Sequence, residues 1–179
     1  MSGATNEERL SQILSRCMAQ MLADLGVVAV KLERVRQPRR PGEITAAFSP
    51  LFNDQLSGSF TLLGPTELFS RLHPLPTTVT PRDLDDWACE MVNQAVGRFR
   101  NRLAAYGTKV TFGVPLTAFG EPTMISGGLA SNGSPILFAV DDMLLEGWLE
   151  LEIAPAFRLA ESASVEIEAA LQEGSIVLF

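Results

Sequence analysis

The stretch from Thr80 to about Tyr106 admits one regular structure, a long helix, and everything else in the chain has to accommodate it. Thr80-Pro81-Arg82-Asp83 combines a hydroxyl suited to the N-cap, a proline at the first helical position and an acid three residues after the cap. From there Leu84, Trp87, Ala88, Met91, Val92, Ala95, Val96, Phe99 and Leu103 recur at three and four. At about 100° per residue these side chains collect on one side of the helix. A helix with so broad an apolar side needs an apolar layer to lie on. The other segments must supply it.

The same rotation sets Asp86, Glu90, Asn93, Gly97 and Arg100 on the opposite side, as a polar stripe facing away from the core. Gly97 is the odd member, since glycine in an exposed helix interior costs roughly 1 kcal/mol relative to alanine. One reason to keep it is a partner's backbone or loop coming close beside Asn93, where a side chain would obstruct. Taken alone, Asp86, Glu90 and Asn93 are read more simply as a solvated face, because Glu and Asn three apart is a common accident.

Helical periodicity also runs from Asn6 to Leu25 through Leu10, Ile13, Leu14, Cys17, Met18, Met21 and Leu22, with Gly26 as a stop. Val27 to Val35 reads as a strand, followed by a basic turn from Arg36 to Gly42. Ile44 to Phe48 and Ser57 to Leu63 read as a hairpin joined through Pro50, Asn53 and Asp54. Pro65 to Leu72 suits a short helix, ended by His73-Pro74-Leu75-Pro76. Beyond the long helix, Lys109 to Phe119 and Pro135 to Val140 are strand candidates around the glycine-rich loop Gly120 to Ser134. Leu144 to Ile153 alternates Leu145, Gly147, Leu149, Leu151 and Ile153 against Glu146, Trp148, Glu150 and Glu152, a strand with one wet face. This order predicts an α+β domain with helices packed on one face of a mainly antiparallel sheet. With 179 residues, 46% of them hydrophobic, one domain is expected. Pro155 is expected to close the folded unit, with a helix from Arg158 to Gln172 and an apolar tail, Ile176 to Phe179, packed on the same domain.

Several chemistries are excluded or unsupported. A formal net charge of −7 argues against nucleic-acid binding, which relies on clustered Lys and Arg. Cys17 and Cys89 lie within helical patterns without metal-ligand spacing and read as two buried thiols, so no metal site is expected. The loop from Gly120 lacks the Gly-Lys-Ser/Thr ending of a phosphate loop. His73 precedes Pro74, which removes it from a helix interior and makes it a poor phosphotransfer group. The acidic, polar start of the chain and the lack of an apolar run long enough to span a bilayer lead to the expectation of a cytoplasmic protein without membrane contact.

Context for the polar stripe comes from Asp86-Trp-Ala-Cys-Glu90-Met-Val-Asn93-Gln-Ala-Val-Gly97, followed by Val110-Thr-Phe-Gly-Val-Pro115-Leu-Thr-Ala-Phe-Gly120. This pairing resembles the CheC/CheX/FliY family of chemotaxis phosphatases, whose members carry Asp or Ser, then Glu, then Asn at this spacing, and a proline in the strand beyond. Asp86, Glu90 and Asn93 match by type and spacing, and Pro115 stands near the expected interval. The first helix, where two-site relatives carry another copy, has Cys17-Met-Ala-Gln20 instead, so the chain looks like the one-site, CheX-like form. The likeness extends loosely over residues 7 to 155, which sets the expected phosphatase domain at 1–155, with 156–179 outside it.

The resemblance implies hydrolysis of the aspartyl phosphate of a CheY-like response regulator. Asn93 would position the attacking water and Glu90 would pair with the receiver's lysine, with Asp86 supporting and Gly97 and Arg100 at the partner-binding face. It implies no cofactor of its own, Mg2+ in the partner receiver, and a homodimer that covers sheet edges. The alternative is a non-catalytic binding module for a receiver or a flagellar-switch-like partner, using the same face.

Overall fold

A computed structural model describes residues 4–33, 42–75, 79–121 and 135–167. The basic turn from Arg36, most of the glycine-rich loop from Gly120 and the apolar tail from Ile176 lie outside the described residues. The chain order is α1 (Asn6–Asp24), β1 (Ala29–Leu32), β2 (Ile44–Phe52), β3 (Leu56–Pro65), α2 (Thr66–Leu72), α3 (Pro81–Ala105), β4 (Thr111–Phe112), β5 (Leu116–Gly120), β6 (Ile136–Val140) and β7 (Met143–Ile153).

Both long helices start with a reciprocal capping box. Thr5 and Glu8 form it in α1, and Thr80 and Asp83 in α3, where the Thr80 N–H donates to Asp83 at 2.8 Å and the Asp83 N–H to Thr80 at 3.3 Å. The hydroxyl of Thr80 also shifts the Asp83 carboxyl below its ordinary pKa, together with the Thr80 backbone N–H. After α1 the chain turns at Gly26, with φ of 72°, a left-handed conformation that glycine adopts without a Cβ clash.

The strands form one antiparallel sheet in the order β1-β6-β7-β3-β2-β4, with β5 also paired to β2. Asn53 sets the β2–β3 turn, its side-chain Oδ1 accepting from the N–H groups of Gln55 at 2.8 Å and Leu56 at 2.7 Å. The helices pack on one face. Leu10, Leu14, Met18 and Met21 of α1 and Trp87, Met91, Ala95 and Phe99 of α3 bury against Ala47, Leu51, Phe60, Leu62, Ile136, Phe138 and Leu145. Every third or fourth residue of the helices thus meets every second residue of the strands. The approach is close at Gly147, where an added Cβ would stand 2.4 Å from the Met18 sulfur.

Three features depart from the sequence reading. Pro50 lies inside β2 rather than in the turn: β2 pairs with β5 up to Phe48 and with β4 from Leu51, so the proline falls where the neighbouring strand is interrupted. The expected strand Lys109 to Phe119 is broken into β4 and β5 at the same place, by Gly113-Val114-Pro115. The outer face of β7 is dry at its centre, because Ile44, Ala46 and Leu63 form a second buried cluster with Trp148 packed on it, and Glu146 is only 2% exposed, accepting from the Trp148 indole N–H at 3.1 Å.

Past β7 the chain stays packed. Phe157 and Leu159 belong to the main core. Arg9 clamps this segment from α1, donating to the carbonyls of Leu159 at 3.0 Å, Ala160, and Glu161 at 3.2 Å, while its guanidinium lies over the Tyr106 ring. Residues 157–164 are not helical, and helix begins at Val165. The rest of the expected last helix, up to Gln172, lies outside the described residues. Among the described residues no helix is long and apolar enough to cross a membrane.

Candidate functional site

With Trp87, Met91, Ala95 and Phe99 fixed in the core, the rotation of α3 is no longer free. Asp86, Glu90, Asn93 and Arg100 are exposed and Gly97 is half-buried, so the five residues share the outward side of one helix. Glu90 accepts from the Gln94 side-chain amide at 3.1 Å. Asp86, Asn93 and Arg100 make no side-chain hydrogen bond or ion pair among the described residues, which leaves the amide and the two charges available to a partner. At Gly97 an added Cβ would meet nothing within 4 Å, so no packing among the described residues accounts for the glycine.

One flank of this face is built by β5. The Cys89 thiol lies 3.8 Å from the Pro115 carbonyl, and the Thr117 hydroxyl donates to Asp85. These contacts bring Pro115 beside α3 one residue from Glu90, while Val114 and Leu116 remain exposed. Cys89 is therefore at the rim rather than buried as its helical pattern suggested, because it sits at the border of the apolar side. Burial first, and then the Asp85 and Asp86 carboxylates, raise its pKa above the ordinary thiol value. Cys17 is fully buried and pushed up to about 12 by burial.

The other flank is the seam with α1, which runs antiparallel to α3. A groove of about 550 Å³ follows this seam, lined by Arg16, Cys17, Gln20 and Asp24 of α1 and Arg98, Asn101 and Arg102 of α3. Arg98 donates to Asp24 at 2.7 Å and to the Gln94 carbonyl at 3.1 Å, and Gln20 donates to Asp24 at 2.7 Å. The Arg98 and Gln20 hydrogen bonds lower the Asp24 pKa. Asp85, Gln94, Arg98 and Thr117 carry no spacing signal that would have singled them out in the sequence.

Among the described residues no group of three His, Cys, Asp or Glu side chains could hold a metal ion. His73 caps α2, its Nδ1 accepting from the Leu75 N–H at 3.1 Å, and its ring meets Trp87 edge-on at 5.6 Å. It is held at the side of α3 that faces α2, away from Asn93. The stripe of α3, from Asp86 through Glu90, Asn93 and Gly97 to Arg100, carries no histidine, serine or cysteine. It offers an exposed amide and carboxylate one turn apart on a rigid helix, suited to entering another molecule's site.

No protein-family model matches the chain, and no curated protein sequence does. Solved structures do. A chemotaxis protein CheX from Vibrio vulnificus superposes with a TM-score of 0.63 at 14% identity, over 83% of this chain and 100% of its own. The CheX-CheY-BeF3-Mg+2 complex from Borrelia burgdorferi matches with a TM-score of 0.59 at 15% identity, over 80% and 97%. FliY from Thermotoga maritima matches with 0.54 at 11% identity, over 97% of this chain and 99% of its own. The chain has the α+β fold of the CheC/CheX/FliY proteins, and for the fold the resemblance read from Glu90, Asn93 and Pro115 is borne out.

Proposed function

We propose that this CheX-fold chain is a phosphatase that hydrolyses the aspartyl phosphate of a CheY-like response regulator. The single observation that supports it most is the outward presentation of Glu90 and Asn93 on α3, with Asn93 making no side-chain hydrogen bond among the described residues. That such a fold can engage a receiver is suggested by the CheX-CheY-BeF3-Mg+2 complex of the Borrelia burgdorferi protein.

An aspartyl phosphate is an acyl phosphate, already reactive, and its hydrolysis is limited by the placing of a water in line with the bond to be broken. Asn93 would enter the receiver's site and hold that water by its amide. The water oxygen attacks phosphorus, the bond from phosphorus to the receiver's carboxylate oxygen breaks, and inorganic phosphate leaves with the carboxylate restored. Glu90 would pair with the receiver's lysine and so fix the depth of insertion. Asp86 supports this pairing from the preceding turn, and Gly97 keeps the far side of Asn93 open. The Mg2+ would be held by the receiver, so this chain contributes positioning and no metal ligand. A cytoplasmic homodimer is part of the same reading, and light scattering that gives a monomer at working concentration counts against the dimer.

The test is a phosphate-release time course with phosphorylated receivers from the same organism. Wild type accelerates release above the receiver's own rate, and Asn93→Ala loses roughly a hundredfold of that acceleration while keeping its circular dichroism spectrum. Unchanged acceleration in Asn93→Ala sinks the assignment. Binding by wild type with no acceleration indicates a non-catalytic receiver-binding module.

A further inference from the structure

Single apolar side chains on a surface are ordinary, so exposure alone singles out none of Val28, Leu75, Val114 and Val165, each at least 66% exposed. Val114 differs in how it is held. The break between β4 and β5 fastens it on both sides. Before it, the Gly113 N–H donates to the Pro50 carbonyl at 2.8 Å, and the Gly113 carbonyl accepts from the hydroxyl of the fully buried Ser49 at 2.9 Å. A Cβ at Gly113 would stand 2.6 Å from the Pro50 ring, so this approach requires glycine. After it, Pro115 fixes its own φ, its carbonyl lies 3.8 Å from the Cys89 thiol, and the Thr117 hydroxyl donates to Asp85. Between these anchors Val114 is 81% exposed.

The anchors also fix where Val114 stands along α3. Thr117 meets Asp85 and Pro115 meets Cys89, so two strand residues, ~7 Å, advance against four helix residues, ~6 Å. The segment therefore runs antiparallel to α3. Phe112 continues the same line, its ring meeting that of Phe99 at 6.4 Å. Val114, between Phe112 and Pro115, comes level with the turn of α3 that carries Asn93. Cys89 and Asn93 are neighbours one turn apart on the helix surface. Val114, Pro115 and Cys89 thus border the polar stripe as an apolar ledge. Leu116 is not part of it: it stands opposite Phe48 in the β2–β5 register, on the sheet face away from the helices. A ledge held by this many contacts has little freedom to lose when a partner covers it.

We propose that Val114, with Pro115 beside it, is a docking ledge for an apolar patch of the receiver that borders its phosphorylated aspartate. The inference rests on the phosphatase reading for the identity of the partner. The ledge is continuous with the Glu90–Asn93 face, and a receiver that brings its aspartyl phosphate to Asn93 brings the surface around that aspartate over Val114. Polar groups on α3 then set the chemistry, while the ledge supplies apolar area and excludes bulk water from one side of the inserted amide.

The test uses a fluorescently labelled CheY-type receiver from the same organism, held in its BeF3–Mg2+ form, with binding read by anisotropy at low and high salt. Val114→Ala is expected to weaken binding roughly tenfold and Val114→Asp roughly a hundredfold, whereas Val114→Ile stays within about twofold. The loss in Val114→Ala is the same at both salt concentrations, because an apolar contact is not screened. Thermal melts of all three variants match wild type, since the side chain is exposed in the free protein. Phosphate release by Val114→Ala shows a raised KM with kcat close to wild type, the mark of contact made equally before and during reaction. Val114→Asp binding within about twofold of wild type overturns the proposal. Light scattering covers the rival occupant: a Val114→Asp variant that loses a wild-type dimer yet binds the receiver as before assigns the ledge to a second copy and overturns it too. Should Asn93→Ala keep full turnover, the phosphatase reading fails while the binding comparison still decides the ledge. Failure of every such receiver to bind wild type overturns both.

Discussion

Replacing Gly97 by alanine separates folding from function at one atom. The residue lies in the interior of α3, and a Cβ built there meets nothing within 4 Å, so the substitution introduces no clash and fills no cavity. What remains is backbone: glycine loses more conformational freedom on entering a helix, and alanine is favoured by roughly 0.8–1 kcal/mol. For a chain of 179 residues, about 1 kcal/mol corresponds to a rise of roughly 2–4 °C in Tm. Urea and thermal melts of Gly97→Ala should therefore show a more stable protein. Kinetics should move the other way, because the methyl group would intrude where the receiver's backbone comes beside Asn93. Overpacking a close contact costs about 1–3 kcal/mol, so KM for the phosphorylated receiver should rise by roughly tenfold or more, and further in Gly97→Leu. A variant that gains stability and keeps wild-type KM in both substitutions would falsify the idea that Gly97 exists for a partner's approach. A variant that gains no stability refutes the helix argument itself.

Other expectations follow from the caps and the clamp. Thr80→Ala removes the hydroxyl that accepts from the Asp83 N–H and should destabilise the protein by about 1 kcal/mol in urea melts, with Thr80→Ser largely retaining stability. Because the folded-state pKa of Asp83 is depressed, chiefly by Thr80, its contribution is present above the ordinary carboxylate value of 3.8 and is lost as pH falls through the lower folded value. Acid unfolding below that value should thus show a shallower pH dependence in Thr80→Ala than in wild type. Arg9→Ala releases the carbonyls of Leu159, Ala160 and Glu161 and should cost roughly 2 kcal/mol by chemical denaturation, with faster amide exchange around Phe157 as its local signature.

The helices and their polarity are determined by the sequence alone. Thr80-Pro81 starts α3, Gly26 stops α1, and apolar spacing at three and four decides which side of each helix is buried, because these preferences act within a few residues and need no distant partner. The alternation of Leu145, Gly147 and Leu149 in β7 shows the helix-facing side for the same local reason. Glu90, Asn93 and Pro115 were legible as a family-like pattern, and the rotation of α3 then set the first two outward.

Tertiary structure decided what depends on neighbours from other parts of the chain. Pro50 belongs to β2 because β4 and β5 leave a gap opposite it, which no local propensity encodes. Trp148 and Glu146 lie on the expected wet face yet are part of a dry patch, since Ile44, Ala46 and Leu63 come to them from β2 and β3. The contact of the Cys89 thiol with the Pro115 carbonyl, at 3.8 Å, likewise depends on a segment that follows α3 folding back beside it. The groove of Arg16, Arg98 and Arg102 exists only because α1 and α3 run antiparallel, which juxtaposes charges more than eighty residues apart in the chain. Local periodicity governs which side of an element is buried, whereas a site shared between elements depends on packing that brings distant residues together.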